Sequence, residues 1–363
     1  MNPVLQSFID EIHQPSAGLT AEGQAHLDSL TKPVGSLGRL EELALKLWRI
    51  QGKRPLSADP ARMYTVAADH GVTEEGISLY PPSVTRQMVE NFLHEGAAIN
   101  VLCNTLGIEH MVVDAGCMGE EFPSNPKLIS MKAGEGTANF AKGPAMSNSQ
   151  LWECLNNGIT LATIASEAGV RCIGLGEMGI GNTTAASALF SAYLNLRPEE
   201  ITGPGAGLPP GGLAHKSLIL YQALKENAIA IESDDPLLIL RSLGGFEIAT
   251  LTGIIMGAAK ENMVVMVDGF ITTAAYVAAW KICPAVSDYC MFSHSSKETG
   301  HELVLSYLNR KPLLNLDMRL GEGTGAALGI ALLRSAAAIF NDMATFESAN
   351  ISGPKETGGA GAK

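Results

Sequence analysis

The sequence predicts an α/β protein, a parallel sheet doubly wound with helices on both faces, and three observations predict it. From residue 63 onward, short apolar runs alternate with long helical stretches, the pattern of strands buried on both faces and joined by crossover helices. Several runs end in a polar or glycine-rich turn: Asp69-His70-Gly71, Asp114-Ala115-Gly116, Gly174 to Gly181, and Asp268-Gly269. In open sheets of this kind ligands bind outside the carboxyl ends of the strands, so these turns are expected to line one cleft. Finally, 46% hydrophobic and 17% charged residues over 363 positions describe a chain that buries a large core.

Each element has its own local reason. Near the N-terminus Leu40, Leu43, Leu47 and Ile50 recur at helical spacing behind Glu41-Glu42. A turn with two cations, Thr31-Lys32-Pro33-Val34-Gly35-Ser36-Leu37-Gly38-Arg39, precedes that helix, and Pro55 and Pro60 mark a boundary after it. Strands are expected over 63–68, 110–113, 170–173 and 262–267, and helices over 83–106, 150–168, 182–194, 213–226 and 270–282. A last, alanine-rich helix is expected over 325–346, and the glycine-rich tail 352–363 is expected to fray.

A formal net charge of -12 argues against a nucleic-acid partner, although a local cluster of donors can still hold a small anion. The six cysteines form no C-x-x-C pair and lie in apolar segments, as reduced thiols of a cytoplasmic protein do. Polar residues and Asp10-Glu11 follow Met1-Asn2-Pro3-Val4, so no signal peptide is expected. No apolar run approaches the roughly 20 residues of a bilayer span. The best candidate, 269–280, is short and flanked by Asp268 and Lys281.

Four segments are candidates for chemistry. Gly174-Leu175-Gly176-Glu177-Met178-Gly179-Ile180-Gly181-Asn182-Thr183-Thr184 contains a G-x-G-x-x-G between a strand and a helix, which suits a dinucleotide, a phosphate on backbone N–H groups, or a plain tight turn. The acidic residue that a dinucleotide site needs on a second strand is missing, because Glu199-Glu200 follows a helix. Thr202-Gly203-Pro204-Gly205-Ala206-Gly207-Leu208 leads to His215-Lys216 and suits an anion or a solvated loop. Ser293-His294-Ser295-Ser296-Lys297-Glu298-Thr299-Gly300-His301-Glu302 carries two histidines seven positions apart. That spacing matches no helical zinc motif, so hydroxyls and Lys297 near a substrate, or a helix cap, are preferred. In Gly321-Glu322-Gly323-Thr324-Gly325 a glutamate stands between glycines before an apolar helix. Burial would raise its pKa toward that of a useful base and the helix dipole would lower it; a helix-capping carboxylate is the other reading.

Taken together, these segments resemble the nicotinate-nucleotide–dimethylbenzimidazole phosphoribosyltransferase family over nearly the whole chain. The resemblance runs through Lys32-Pro33-x-Gly35-Ser36-Leu37-Gly38-Arg39-Leu40-Glu41, Ala68-Asp69-His70-Gly71-Val72, Gly76-Ile77-Ser78, and Val84-Thr85-x-Gln87-Met88 with Asn91-Phe92. It continues through 174–184, Gly244-Gly245-Phe246-Glu247-Ile248-Ala249, Asp268-Gly269-Phe270, Ser293-His294-x-Ser296-x-Glu298-x-Gly300-His301, and 316–325.

The resemblance implies transfer of the phosphoribosyl group of nicotinate mononucleotide to 5,6-dimethylbenzimidazole or an analogue, giving α-ribazole 5′-phosphate and nicotinate. It implies a homodimer without metal or bound cofactor. The implied fold is a Rossmann-like three-layer α/β catalytic domain over 56–329, with a small helical domain from both chain ends, 1–55 plus 330–363. By carry-over Glu322 is the catalytic base and Glu177 the second active-site carboxylate. Gly176, Gly179, Asn182 and Thr183 are expected on the phosphoribosyl group, with Lys216, Gly203 and Gly205 on its phosphate. Leu79, Gln87, Met88 and Leu320 are expected to line the slot for the base, and Asp268 and Ser295 complete the expected substrate contacts.

Overall fold

The structure is a computed structural model that describes residues 3–203, 205, 207 and 210–353. The expectations for Met1 and Asn2, for Pro204, Ala206 and Leu208 of the glycine-rich loop, and for the tail beyond Gly353 lie outside the described residues.

Six parallel strands form one sheet: β1 (Ala61–Ala68), β2 (Glu109–Gly116), β3 (Leu128–Ser130), β4 (Cys172–Met178), β5 (Val264–Val267) and β6 (Cys290–Phe292). Their order is β3-β2-β1-β4-β5-β6, with every neighbouring pair parallel. The chain lays down one half outward from β1, then returns to β1's other side and builds the second half. That reversal between β1 and β4 is the topological switch point, where a crevice opens at the carboxyl ends of the strands.

The apolar patterning predicts most of these elements, and the exceptions have physical causes. β3 and β6 are three residues each, too short to show a period, and went unpredicted. The helix expected over 83–106 is two helices, Ser83–Leu93 and Ala98–Leu106, because Glu95 takes a left-handed φ of 62° and Gly96 follows it. The strand expected to stop at 173 continues through Gly174, Leu175, Gly176 and Glu177 to Met178. Its first two glycines are therefore strand residues and not a phosphate-binding turn, which removes the dinucleotide geometry. The helix Phe246–Lys260, unpredicted, is buried along its length to Ala259, as an all-round apolar helix in a large core must be.

The chain divides into two compact units. The larger holds the sheet, over Ala58–Ala331, together with the segment up to Gln14. Assigning that first segment to the small domain was wrong: Glu11 pairs with Lys260 at 2.8 Å, and the Tyr289 hydroxyl donates to the His13 carbonyl at 2.7 Å. The smaller unit comprises Pro15–Ser57 and the residues from Leu332 onward. In it the rings of His26 and Trp48 pack on Phe340, and the Asn341 side chain bonds both the N–H and the carbonyl of Leu56. The helix Thr324–Asp342 is long and apolar enough by composition to cross a bilayer, which the search for unbroken apolar runs overlooked. With 56% of its most apolar stretch buried, packing inside the protein accounts for that apolarity.

Behind the switch point, His70 and Glu247 form a fully buried pair at 2.7 Å. Burial lowers the imidazole's pKa, but the charge and hydrogen bond of Glu247, with Asp69 beyond, outweigh it and leave His70 above its ordinary 6.5. Breaking one partner of such a pair strands the other, so Glu247→Ala should cost about 3–5 kcal/mol in urea unfolding near pH 6. A group raised on folding stabilises fully below its unfolded value and loses that contribution as pH climbs through its folded one. The wild type should therefore weaken above pH 6.5 by an amount the variant lacks; parallel stability–pH curves for the two proteins would refute the ion pair.

Candidate active site

A cleft of about 530 Å³ opens at the carboxyl ends of β1, β4, β5 and β6. It brings together Met88, Glu177, Gly179, Asn182, Thr183, Gly205, Lys216, Asp268, Leu320 and Glu322, ten of the positions expected from sequence.

Glu322 is held by its backbone. Gly321, Glu322 and Gly323 have φ values of 86°, 63° and 99°, three successive left-handed residues, of which only the glutamate carries a side chain. The turn lies directly on β4: a Cβ at Gly176 would collide with the Glu322 carbonyl, so only glycine permits the approach. That same carbonyl accepts the Thr65 hydroxyl at 2.9 Å. Thr65 has one proton and has spent it there, so His110 Nε2–H donates to Thr65 Oγ1 at 2.9 Å, and His110 Nδ1 in turn accepts from Asn100 at 3.1 Å. The relay needs a neutral imidazole, and burial holds His110 down to about 4.

The Glu322 carboxylate does not cap the helix that follows it. Its Oε2 accepts from the backbone N–H of Ile99 at 3.3 Å, one of the donors left open at the start of the Ala98–Leu106 helix. The cap of the following helix is instead Asp268, which accepts from Ala326 N at 3.0 Å and Gly323 N at 3.3 Å. Burial raises the Glu322 pKa and the single Ile99 N–H opposes it, with burial the larger. The competition left open by the sequence is therefore won by desolvation.

Two further carboxylates sit in the same dry place. Burial, then the charge of Asp268, pushes Glu177 up to about 8 against the hydrogen bond from Asn182. Burial raises Asp268 to about 7, although three backbone N–H groups pull the other way. Burial keeps these three acids from ionising freely, and a cation arriving beside them would favour their charged forms. The same cleft also holds a cation. Lys216, 1% exposed, donates to Thr183 Oγ1 at 2.8 Å and to the Gly203 carbonyl at 3.3 Å, and burial lowers it to about 8. Glu298 stands beside it and accepts the Gly205 N–H at 3.0 Å. Among the described residues no group of three or more His, Cys, Asp or Glu is arranged to hold a metal ion.

Five expected positions do not line the cleft. Gly176 lies beneath it in β4, and Gly203 is buried against Glu298. Gln87 is exposed: Val84 and Met88, four apart on one helix face, take the cleft side and turn Gln87 outward. Leu79, 58% exposed, stands beyond the lining residues Ser78 and Tyr80. Ser295 points away, donating to Glu302 at 3.2 Å in a separate cavity of about 520 Å³. Side chains alternate along extended chain, so His294 and Ser296 face the cleft and Ser295 cannot. That period of two was readable in the sequence. Ile77, Ile180, Phe270, Ile271 and Arg319 also line the cleft, and nothing in their type signalled it.

Two outcomes test this geometry. Gly176→Ala should cost about 1–3 kcal/mol, since the added methyl must push the Glu322 turn off the sheet; an unchanged denaturant midpoint would show the contact to be slack. Glu177 and Asp268 hold protons in the folded state that they release when unfolded, so their favourable contribution is whole below pH 4.5 and fades as pH rises toward about 8. Glu177→Gln should lose less stability than the wild type across that window, with only the Asp268 share left, measured by unfolding at each pH.

The chain resembles known proteins over nearly its whole length. A family model described as Phosphoribosyltransferase matches residues 12–351. The chain is similar to the nicotinate-nucleotide–dimethylbenzimidazole phosphoribosyltransferase of Oleidesulfovibrio alaskensis, 58% identical over 97% of this chain and 98% of that one. It is similar also to the enzyme of the same name from Pelodictyon phaeoclathratiforme, 47% identical over 96% of this chain and 98% of its relative. The crystal structure of CobT from Thermus thermophilus superposes with a TM-score of 0.87 at 40% identity, covering 93% of this chain and 100% of that one. The chain belongs to the nicotinate-nucleotide–dimethylbenzimidazole phosphoribosyltransferase family.

Proposed function

We propose that this protein moves the 5-phosphoribosyl group of nicotinate mononucleotide to a benzimidazole-type base, with inversion at the anomeric carbon, releasing nicotinate and α-ribazole 5′-phosphate for the nucleotide loop of a cobamide. The observation that carries the reading is one cleft lined by a buried lysine and by three buried carboxylates. Phosphate suits the first and an oxocarbenium-like sugar the second.

In nicotinate mononucleotide the pyridinium nitrogen is already cationic, so the glycosidic bond breaks with its electron pair going to nicotinate and no acid is required. Positive charge grows on the ribose as it leaves, beside Glu177, Asp268 and Glu322; that charge favours their ionised forms, which then stabilise it. One ring nitrogen of the incoming base attacks the opposite face, and its other nitrogen must lose a proton. Glu322 is the acceptor in this reading: burial raises it toward the working pH, and its oxygen is anchored by one N–H. Asn182 holds Glu177 by a side-chain hydrogen bond. Lys216, Thr183 and the Gly205 N–H form the phosphate end, where a phosphate would compete with Glu298 for that N–H. Met88, Tyr80, Leu320 and Val84 offer the apolar wall for the base, with Leu79 beside the cleft residue Gly207. The protein is proposed to act in the cytoplasm as a homodimer, which sedimentation would check.

Incubation with nicotinate mononucleotide and a panel of bases should yield nicotinate and an α-riboside in equal amounts; nicotinate without a riboside would mean hydrolysis. Glu322→Gln should lower kcat by roughly 10²–10⁴-fold while nicotinate mononucleotide still binds, the loss expected for a missing general base. Undiminished turnover would remove Glu322 from that role.

A further inference from the structure

One cleft residue has no part in this chemistry. His294 follows the end of β6, is 2% exposed, and lines the cleft beside Ser296 and Asp268. Its Nδ1 edge is fully committed. Ser293 Oγ lies 3.1 Å from it, and an Asp268 carboxylate oxygen lies at 3.7 Å. The Ser293 hydroxyl proton already goes to the Asp268 carbonyl at 2.9 Å, so toward the imidazole Ser293 offers only lone pairs. The ring also donates to the Asp268 backbone carbonyl, which lies on that edge beside Ser293 Oγ, so Nδ1 carries the ring's proton. Burial holds the imidazole down to about 4, so the ring has no second proton at neutral pH. Its Nε2 is then a bare lone pair.

That lone pair faces the ligand side. A Cβ on Gly269 would lie 3.3 Å from His294 Cε1 and 3.6 Å from Nε2, whereas a Cβ on Gly325 would strike the Nδ1–Cε1 side of the ring. Gly269 lines the cleft, and its bare α-carbon leaves the Nε2 edge open. No protein group among the described residues bonds Nε2. The ligand atom that bonds it must be a donor, which a phosphate or a carboxylate is not, and the N–H of the incoming base is taken by Glu322 in the proposed transfer. A sugar hydroxyl is.

We infer that His294 accepts, at Nε2, the hydrogen bond of one hydroxyl of the donor's ribose, and so selects ribosyl over deoxyribosyl donors. The inference rests on the proposed binding of nicotinate mononucleotide in this cleft. A buried acceptor whose only partner is a substrate hydroxyl penalises the analogue that lacks it, because the acceptor is then left dry and unpaired.

The test compares nicotinate release from nicotinate mononucleotide and its 2′-deoxy and 3′-deoxy analogues by the wild type, His294→Gln and His294→Leu. The wild type should penalise one of the two deletions by roughly 10- to 100-fold in kcat/KM. His294→Leu should slow the natural donor by a similar factor and then show no added penalty for that analogue. His294→Gln, which keeps an acceptor oxygen in reach, should restore part of the discrimination. Full penalties on both analogues in His294→Leu would overturn the inference, whereas a wild type that releases no nicotinate would overturn the proposed function itself. A measurement on the wild type does not depend on how the variants fold. With ¹⁵N-labelled histidine, one unprotonated Nε2 resonance should move upfield when nicotinate mononucleotide is added, and a His294 signal that stays put would equally overturn the assignment.

Discussion

The contact between the bare α-carbon of Gly176 and the carbonyl of Glu322 is the constraint on which the active cleft depends. It lets a turn of three left-handed residues lie flat on the carboxyl end of β4, next to the switch point between β1 and β4. Thr65, from the neighbouring strand in register with Gly176, holds the same carbonyl. Through His110 and Asn100 the chain of bonds runs on into β2 and the Ala98–Leu106 helix, whose Ile99 N–H then meets the Glu322 side chain. Backbone and side chain of one residue are thus anchored from three separate elements. A carboxylate placed this way needs no reorganisation when a proton or a cation arrives.

Around that turn, three acids differ by environment rather than by type. Asp268 is committed to the N-terminus of the Thr324–Asp342 helix and keeps it in place. Glu177 is the most strongly raised of the carboxyls whose values are large, because burial and the Asp268 charge act together. Glu322 meets burial with one opposing N–H. In the proposed transfer the groups divide accordingly: one positions, one shares the field of the cation, one takes the proton. The buried His70–Glu247 pair lies just behind the Gly179–Gly181 loop, where Gly179 packs on the imidazole and Gly181 on the His70 Cβ. It ties the loop after β1 to the start of the Phe246–Lys260 helix without entering the cleft.

Much of this was legible along the chain. Asp268 follows a strand whose apolar run is plain, and the Asn182–Leu194 and Phe270–Ile282 helices fall where their patterns predict. The corrections share one origin. Gly174 and Gly176 look like a phosphate turn because glycine marks both a turn and a close approach, and only a partner pressing from elsewhere distinguishes them. Ser295 looks like a cleft residue by its type, but alternation along an extended segment puts His294 and Ser296 on the cleft side and Ser295 on the other. Gln87 and Met88 were grouped although one helix face cannot hold both.

By itself the sequence determined the class of fold, the identity of the acids and the lysine, and the family resemblance, because periodicity, glycine placement and motif order are local properties of the chain. The tertiary structure alone decided what those residues are chemically. It brought Ile99, Thr65 and Gly176 to Glu322 from 223, 257 and 146 positions away in sequence, and it gave the helix cap to Asp268. The proton of a carboxylate or an imidazole answers to burial and to neighbours within a few ångströms, and those neighbours are distant in the chain.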